Sequence, residues 1–283
     1  MALFYDPITD EAGPSRTWEE DEEEFEELYG SKGEAAYAFK LLPAAEQHHK
    51  GGKLQADLLM VGASSASRVL LSHLGEFGDK VGAIYQDINE TDEGRRDRSQ
   101  EDDASDGHLF QMSAAGGDRI ILVSVPEGVR QEGAAAWARA LFGGVSATRT
   151  VVLGSIPRSK FLGAADEGAS PVIYTVETSA QRAATGQAGT NVTYLPTGNL
   201  VDGVAAAVVS HCQVRNLVAT LLVNIDQTSG PDQKMVQALT NEIKECLQLQ
   251  SQHFNVHWPD LVAKSQKDLA SRSRGQSWSE LYS

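Results

Sequence analysis

The sequence predicts an α/β protein, an αβα sandwich around a mixed, largely buried sheet. Three observations carry that expectation. Strand-like and helix-like segments alternate over most of the chain from Leu54 onward. Several strand segments are apolar along their length, so both of their faces need cover. The segments between them repeat apolar residues at helical spacing, with polar residues on the opposite side.

The elements follow in order. Residues 56–62 (ADLLMVG) form an apolar run closed by glycine, the profile of a buried strand. A helix follows, with Ala66, Val69, Leu70 and Leu74 on one face, and Ser64 or Ser65 is placed to cap its first turn. Residues 81–85 (VGAIY) read as a strand. Residues 108–112 and 119–125 read as two strands of a hairpin, joined through 114–118. Residues 129–142 predict a helix facing inward through Ala134, Trp137, Ala138 and Leu141. The branched residues of 148–156 and 170–177 predict strands, and the polar, glycine-rich 178–191 predicts a loop. Asn199 is a good cap for a helix from Leu200, with Asp202 in its first turn and Val201, Val204, Ala205, Val208 and Cys212 on one side. Residues 217–225 are another buried strand. Residues 233–250 are a long amphipathic helix whose stripe is Val236, Leu239, Ile243, Cys246 and Leu247. After Pro259 apolar density falls, and 263–283 read as a flexible, slightly basic tail. The expected organisation is an acidic, largely disordered segment 1–50, an α/β domain 51–262 and the tail 263–283.

The net charge of −15 is local. Residues 1–30 hold eleven acids and one base, and residues 87–106 hold nine acids and three bases, which leaves +1 for the rest of the chain. The second segment contains one apolar residue after Ile88, Ala104, and cannot feed a core. Both segments read as solvated surface, and 87–106 as a disordered insertion between strands. A nearly neutral body with a pI near 4.8 overall argues against nucleic acid as a partner. Two cysteines, Cys212 and Cys246, exclude a disulfide scaffold. No apolar run reaches the ~20 residues of a membrane span, and the N-terminus lacks a secretory pattern. The expectation is a soluble intracellular protein of the cytoplasm, with the nucleus as a second location.

Candidate chemistry is sparse. The turn Gly62-Ala63-Ser64-Ser65-Ala66-Ser67 stands where a helix N-terminus could cradle phosphate, but it lacks a Walker lysine, the GxGxxG spacing and the second glycine of a nucleophile elbow. Cys212 neighbours His211, but adjacent helical residues point about 100° apart and make a poor thiolate–imidazolium pair. Cys212 and Cys246 instead continue apolar stripes. His253 and His257 are spaced i, i+4 with no third ligand nearby. No catalytic residue, cofactor site or metal site is assigned, and no enzyme activity is expected. The alternative is an α/β hydrolase or nucleoside-handling enzyme that uses the turn 62–67.

The chain ends Leu281-Tyr282-Ser283, a hydrophobic residue, a tyrosine and a residue bearing the carboxylate. A narrow pocket can capture such an end, with a lysine or backbone N–H groups on the carboxylate and an aromatic body beside it. The stretch Ala207-Val208-Val209-Ser210-His211-Cys212-Gln213-Val214, followed by the strand LVATLLVNID, resembles the Ala-Val-x-Ser-x-Cys-Gln-Val signature of the proteasome assembly chaperone 1 family. The segment DLLMVGASSASRVLLSHL, the acid-rich N-terminus and the terminal hydrophobic-Tyr-X motif extend that resemblance from about residue 54 to the end. It implies a non-enzymatic chaperone of 20S proteasome assembly that needs no cofactor. The implied partners are a second assembly chaperone subunit, as a heterodimer, and the α subunits of the 20S α-ring and its precursors. The implied site is Leu281, Tyr282 and Ser283, inserted into a pocket between adjacent α subunits, promoting ring formation and blocking premature activator binding. A different tail-docking proteasome regulator is the third reading.

Overall fold

The computed structural model describes residues 36–42, 49–50, 52–87, 107–113, 117–163, 173–185, 193–226, 233–248 and 257–279. By its contacts the chain divides into Met1–Glu34, outside the described residues, and Ala35–Ser283, which holds the fold. Most of the acidic N-terminus and all of the insertion beyond Asp87 therefore lie outside the described residues.

A ten-stranded mixed sheet organises the second unit. Its strands are β1 (Ala36–Leu41), β2 (His49–Lys50), β3 (Lys53–Gly62), β4 (Asp79–Asp87), β5 (Gly107–Ser113), β6 (Arg119–Ser124), β7 (Val145–Pro157), β8 (Ile173–Glu177), β9 (Thr193–Tyr194) and β10 (Ala219–Asp226). Their order is β1-β4-β5-β6-β3-β7-β10-β8-β9, with β2 pairing onto β3. The centre, β6-β3-β7-β10, is parallel, and antiparallel pairs flank it on both sides. The hairpin expected from 108–112 and 119–125 is present as β5 and β6.

Helices cover both faces. They are α1 (Ser65–Gly75), α2 (Ala134–Gly144), α3 (Ser179–Thr185), α4 (Gly203–Val214), α5 (Gln233–Gln248) and α6 (Trp258–Ser279). Alternation along the central strands divides the core. Leu59 and Val61 of β3 pack with Trp137, Ala138 and Leu141 of α2 and with Val204, Val208 and Cys212 of α4. Leu58 and Met60 of β3 pack with Leu70 and Leu74 of α1, Val236, Leu239 and Ile243 of α5, and Leu261 and Leu269 of α6. Each buried aliphatic side chain of this kind contributes roughly 1.5–3 kcal/mol relative to exposure. The αβα sandwich with a mixed, largely buried sheet is thus the observed architecture. Among the described residues no helix is long and apolar enough to cross a membrane.

Several local expectations change. Residues 36–41, placed in the N-terminal segment 1–50, form edge strand β1 against β4. Phe39 of β1 packs so closely on Gly144 that a Cβ there would collide with its ring. Helix α2 starts at Ala134 rather than at 129, after turns over 131–133. Part of the expected loop 178–191 is α3, fixed by Thr178, whose Oγ1 accepts from the Gln181 N–H at 3.2 Å and lies 2.9 Å from the Leu217 carbonyl. Asn199 does not cap α4. Its Oδ1 accepts from the Leu162 N–H at 2.7 Å, and its amide donates to the Leu162 and Pro196 carbonyls at 2.9 Å, so it ties two loops together and α4 begins at Gly203. Residues 263–279 of the expected flexible tail are helical, as the greater part of α6. The apolar residues in α6 are few but lie one or two turns apart, so a narrow stripe reaches the core.

Helix α4 ends in a tight turn. Asn216 adopts φ 55°, the Leu217 N–H donates to the Cys212 carbonyl at 2.8 Å, and the Asn216 N–H donates to the Gln213 carbonyl at 3.2 Å. That is the paired bonding of a Schellman ending, with asparagine in the left-handed position. Asn216→Gly should leave thermal stability equal or slightly higher, whereas Asn216→Val should lower it by about 1–2 kcal/mol through left-handed strain. Chemical denaturation of the two variants beside the parent checks this.

Candidate functional site

The expected site residues, Leu281, Tyr282 and Ser283, lie outside the described residues, which end at Ser279. The structure does describe the first half of the helix that leads to them in full, and this half is tied to the body. Leu261, Val262 and Leu269 are buried against α1 and α5, and Ser265 is fully buried between them. Polar ties reinforce the apolar stripe. Lys264 Nζ donates to Glu76 Oε1 at 2.7 Å, joining α6 to the end of α1. His73 Nδ1 lies 2.9 Å from Glu76 Oε1, and His73 Nε2 lies 2.8 Å from Asp268 Oδ2. The second is a close approach without hydrogen-bond alignment. His73 is buried, so it stands between two carboxylates from two elements. The Glu76 carboxyl is held below its ordinary range, first by the Lys264 hydrogen bond and then by His73.

The signature stretch 207–214 lies in α4 and does structural work along both of its sides. Val208 and Cys212 are fully buried in the core. Burial pushes the Cys212 thiol up to about 11, partly offset by a hydrogen bond with Thr150. His211 does not face the thiol as a base. Its ring lies flat on Phe142 of α2, with centroids 4.6 Å apart and planes 3° from parallel. Gln213 spans to the start of α3. Its Oε1 accepts from the Ser179 N–H at 2.9 Å, and its Nε2 donates to Ser179 Oγ at 3.0 Å. Val214 is exposed. Cys246 lies on α5 at a position whose side chain is outside the described set.

The turn 62–67 is a closed cap. The Ser67 N–H donates to Ser64 Oγ at 3.2 Å, and the Ser64 N–H donates to Ser67 Oγ at 3.0 Å. This reciprocal capping box was not foreseen, since the sequence offered Ser64 and Ser65 equally. Ser67 Oγ also lies 3.1 Å from the Leu153 carbonyl of β7, and both hydroxyls are buried. Two buried hydroxyls engaged with each other and with backbone are poor nucleophiles, which weighs against the enzyme alternative. Among the histidines weighed as ligands, His257 sits 2.8 Å from Asp260 on the surface, and His253 is outside the described residues. Among the described residues no group of three metal-binding side chains converges.

No family model matches the sequence, and no curated protein matches it at a significant level. Likeness is found among solved structures. A protein of unknown function from Thermoplasma acidophilum superposes with a TM-score of 0.55 at 13% identity, over 85% of this chain and 96% of that one. PbaB from Pyrococcus furiosus, described as an archaeal proteasome activator, gives 0.55 at 12% identity over 86% and 99%. PbaA from the same organism, described as an archaeal homolog of proteasome-assembly chaperone, gives 0.51 at 11% identity over 78% and 92%. At these identities the likeness establishes a shared fold.

Two predictions follow from the local chemistry. Alkylation of the native protein at pH 8 should leave Cys212 unlabelled while denaturant exposes it, as mass spectrometry of the Cys212 peptide reports. Glu76→Gln should speed amide hydrogen exchange along α6 while shifting the global melting point little, because an exposed pair is worth about 0–1 kcal/mol. The Glu76 carboxyl titrates lower in the folded state, so its hold on α6 is present above its ordinary 4.5 and is lost as pH falls through the lowered value.

Proposed function

We propose that this chain is a non-enzymatic chaperone of 20S proteasome assembly that docks on the α-subunit ring through Leu281, Tyr282 and Ser283. The observation that carries the reading is the coincidence of two independent features. One is a fold shared with PbaA and PbaB, whose descriptions place them with the proteasome. The other is a terminal hydrophobic-Tyr-X tripeptide beside the 207–214 signature. Neither feature alone is specific, since one fold hosts many functions and three residues recur by chance.

Physical reasoning supports the arrangement. A tripeptide buries little surface, so its affinity depends on how little ordering its binding demands. The helix α6 is anchored on the body through Leu261, Leu269 and the Lys264–Glu76 tie, and it runs to Ser279, four residues short of the end. In this reading the tripeptide follows a helix docked through its first half, in place of the flexible segment expected for 263–280. With a second chaperone subunit carrying its own tail, the second insertion is intramolecular and can raise avidity ~10²–10⁴-fold. In this reading Leu281 supplies apolar burial, Tyr282 an aromatic body with a hydroxyl, and Ser283 the carboxylate.

The likeness to PbaB favours one second reading, a tail-docking activator of the mature particle. The two part on the outcome of binding. A chaperone occupies α-rings and precursors and competes with activators, whereas an activator raises peptide hydrolysis by the finished 20S particle.

Tyr282→Ala, removal of residues 281–283, or addition of one residue after Ser283 should each weaken binding to purified α-rings by about tenfold or more, roughly the loss of one anchoring contact. Circular dichroism should be unchanged for all three. Equal ring binding by the parent and the tail-deleted protein, each purified with its partner, would overturn the docking site. Deletion of residues 1–30 should leave ring binding largely intact.

A further inference from the structure

One cleft runs against the charge of the chain. The protein carries −15, yet a cleft of about 530 Å³ is lined by Lys53, Arg139, Arg215 and His211, and none of its described lining residues is acidic. It lies where β3 and β7 begin and where α2 and α4 end. This is the opposite end of the parallel strands from the turn 62–67. Phe142, Val145, Ala147 and Leu217 complete it with apolar wall.

Helix ends account for part of this cationic lining. The C-terminus of a helix attracts cations, and Lys53 Nζ does donate to the Phe142 carbonyl near the end of α2 at 2.6 Å. Two helix ends supply about half a negative charge each, beside Lys53, Arg139 and Arg215. Arg139 stands more than a turn before the end of α2, so the helix end does not explain its place. Arg215 is set by the Schellman turn at Asn216, which also carries Leu217 into the wall. His211 lies among these bases. Its proton affinity is lowered, first by burial and then by Arg215, Lys53 and Arg139.

We infer that this cleft binds a small phosphorylated ligand, with Lys53, Arg139, Arg215 and His211 around the phosphate and the Phe142–His211 ring pair, Val145 and Leu217 against its apolar part. The volume falls within the roughly 300–1,000 Å³ of small-molecule sites. Three cations suit a multiply charged phosphate or diphosphate better than a single carboxylate, and two guanidinium forks can each take two phosphate oxygens. The cleft uses none of the terminal residues assigned to ring docking, so the two proposals stand or fall separately.

The test is calorimetric titration of the full-length protein at low ionic strength with sodium pyrophosphate and with ADP. The expected result is saturable binding at one site per chain, with ADP tighter than pyrophosphate because it adds an apolar body. Arg139→Ala and Arg215→Ala should each weaken both ligands by about tenfold or more, the scale of one charge-assisted contact. Arg139→Ala replaces one good helix former with another, so it keeps the test valid if the turn at Arg215 proves sensitive. Thermal melting should confirm that the variants fold. Three outcomes would overturn the inference: no saturable binding of either ligand, equal binding by the parent and both folded variants, or preferential binding of a hexaglutamate peptide that both substitutions abolish. The last would assign the cleft to an acidic protein segment.

Discussion

The rest of the molecule depends on one constraint, that the parallel centre of the sheet must be buried on both faces. β6, β3, β7 and β10 carry apolar side chains in both directions, so Leu58 and Met60 point into one layer while Leu59 and Val61 point into the other. A sheet covered on one side would leave half of these in water, at roughly 1.5–3 kcal/mol for each large aliphatic side chain. Two helical layers are therefore required. α2 and α4 supply one, and α1, α5 and α6 supply the other.

That requirement also arranges the helices around the described candidates. α6 is recruited as part of the second layer, and it runs to Ser279, one residue before the tripeptide Leu281-Tyr282-Ser283 begins in the sequence. The ties from His73 and Glu76 add polar contacts between α1 and α6 beside the apolar packing. In the other layer, α2 and α4 must converge on the starts of β3 and β7, which brings Arg139, His211 and Arg215 around Lys53. The signature 207–214 serves this layer. Val208 and Cys212 fill the core, Gln213 holds α3, and His211 stacks on Phe142. Each of these roles is one of packing or of holding neighbouring elements together.

The legible parts of the sequence were those where local pattern and tertiary burial agree. The continuous run of β3, the Ala66–Leu74 stripe of α1 and the amphipathic α5 each show their environment in their own spacing. β1 was missed because it follows a highly charged stretch, although Tyr37, Phe39 and Leu41 alternate with Ala38 and Lys40 as a half-buried edge strand should. α6 was missed because its stripe is narrow and its ionic partner, Glu76, lies 188 residues earlier than Lys264. Asn199 read as a helix cap, and its amide found better partners at Leu162 and Pro196 once the loops met.

By itself the sequence determined the layer architecture, the burial of Cys212, the confinement of negative charge to two segments and the terminal tripeptide. All of these are properties of composition or of short-range period. Only the tertiary structure decided that the lead to the terminus is an anchored helix, that Ser64 and Ser67 close on each other, and that scattered bases at 53, 139 and 215 share one cleft. Those facts depend on contacts between elements far apart in the chain, and sheet order and helix docking fix such contacts where residue spacing cannot.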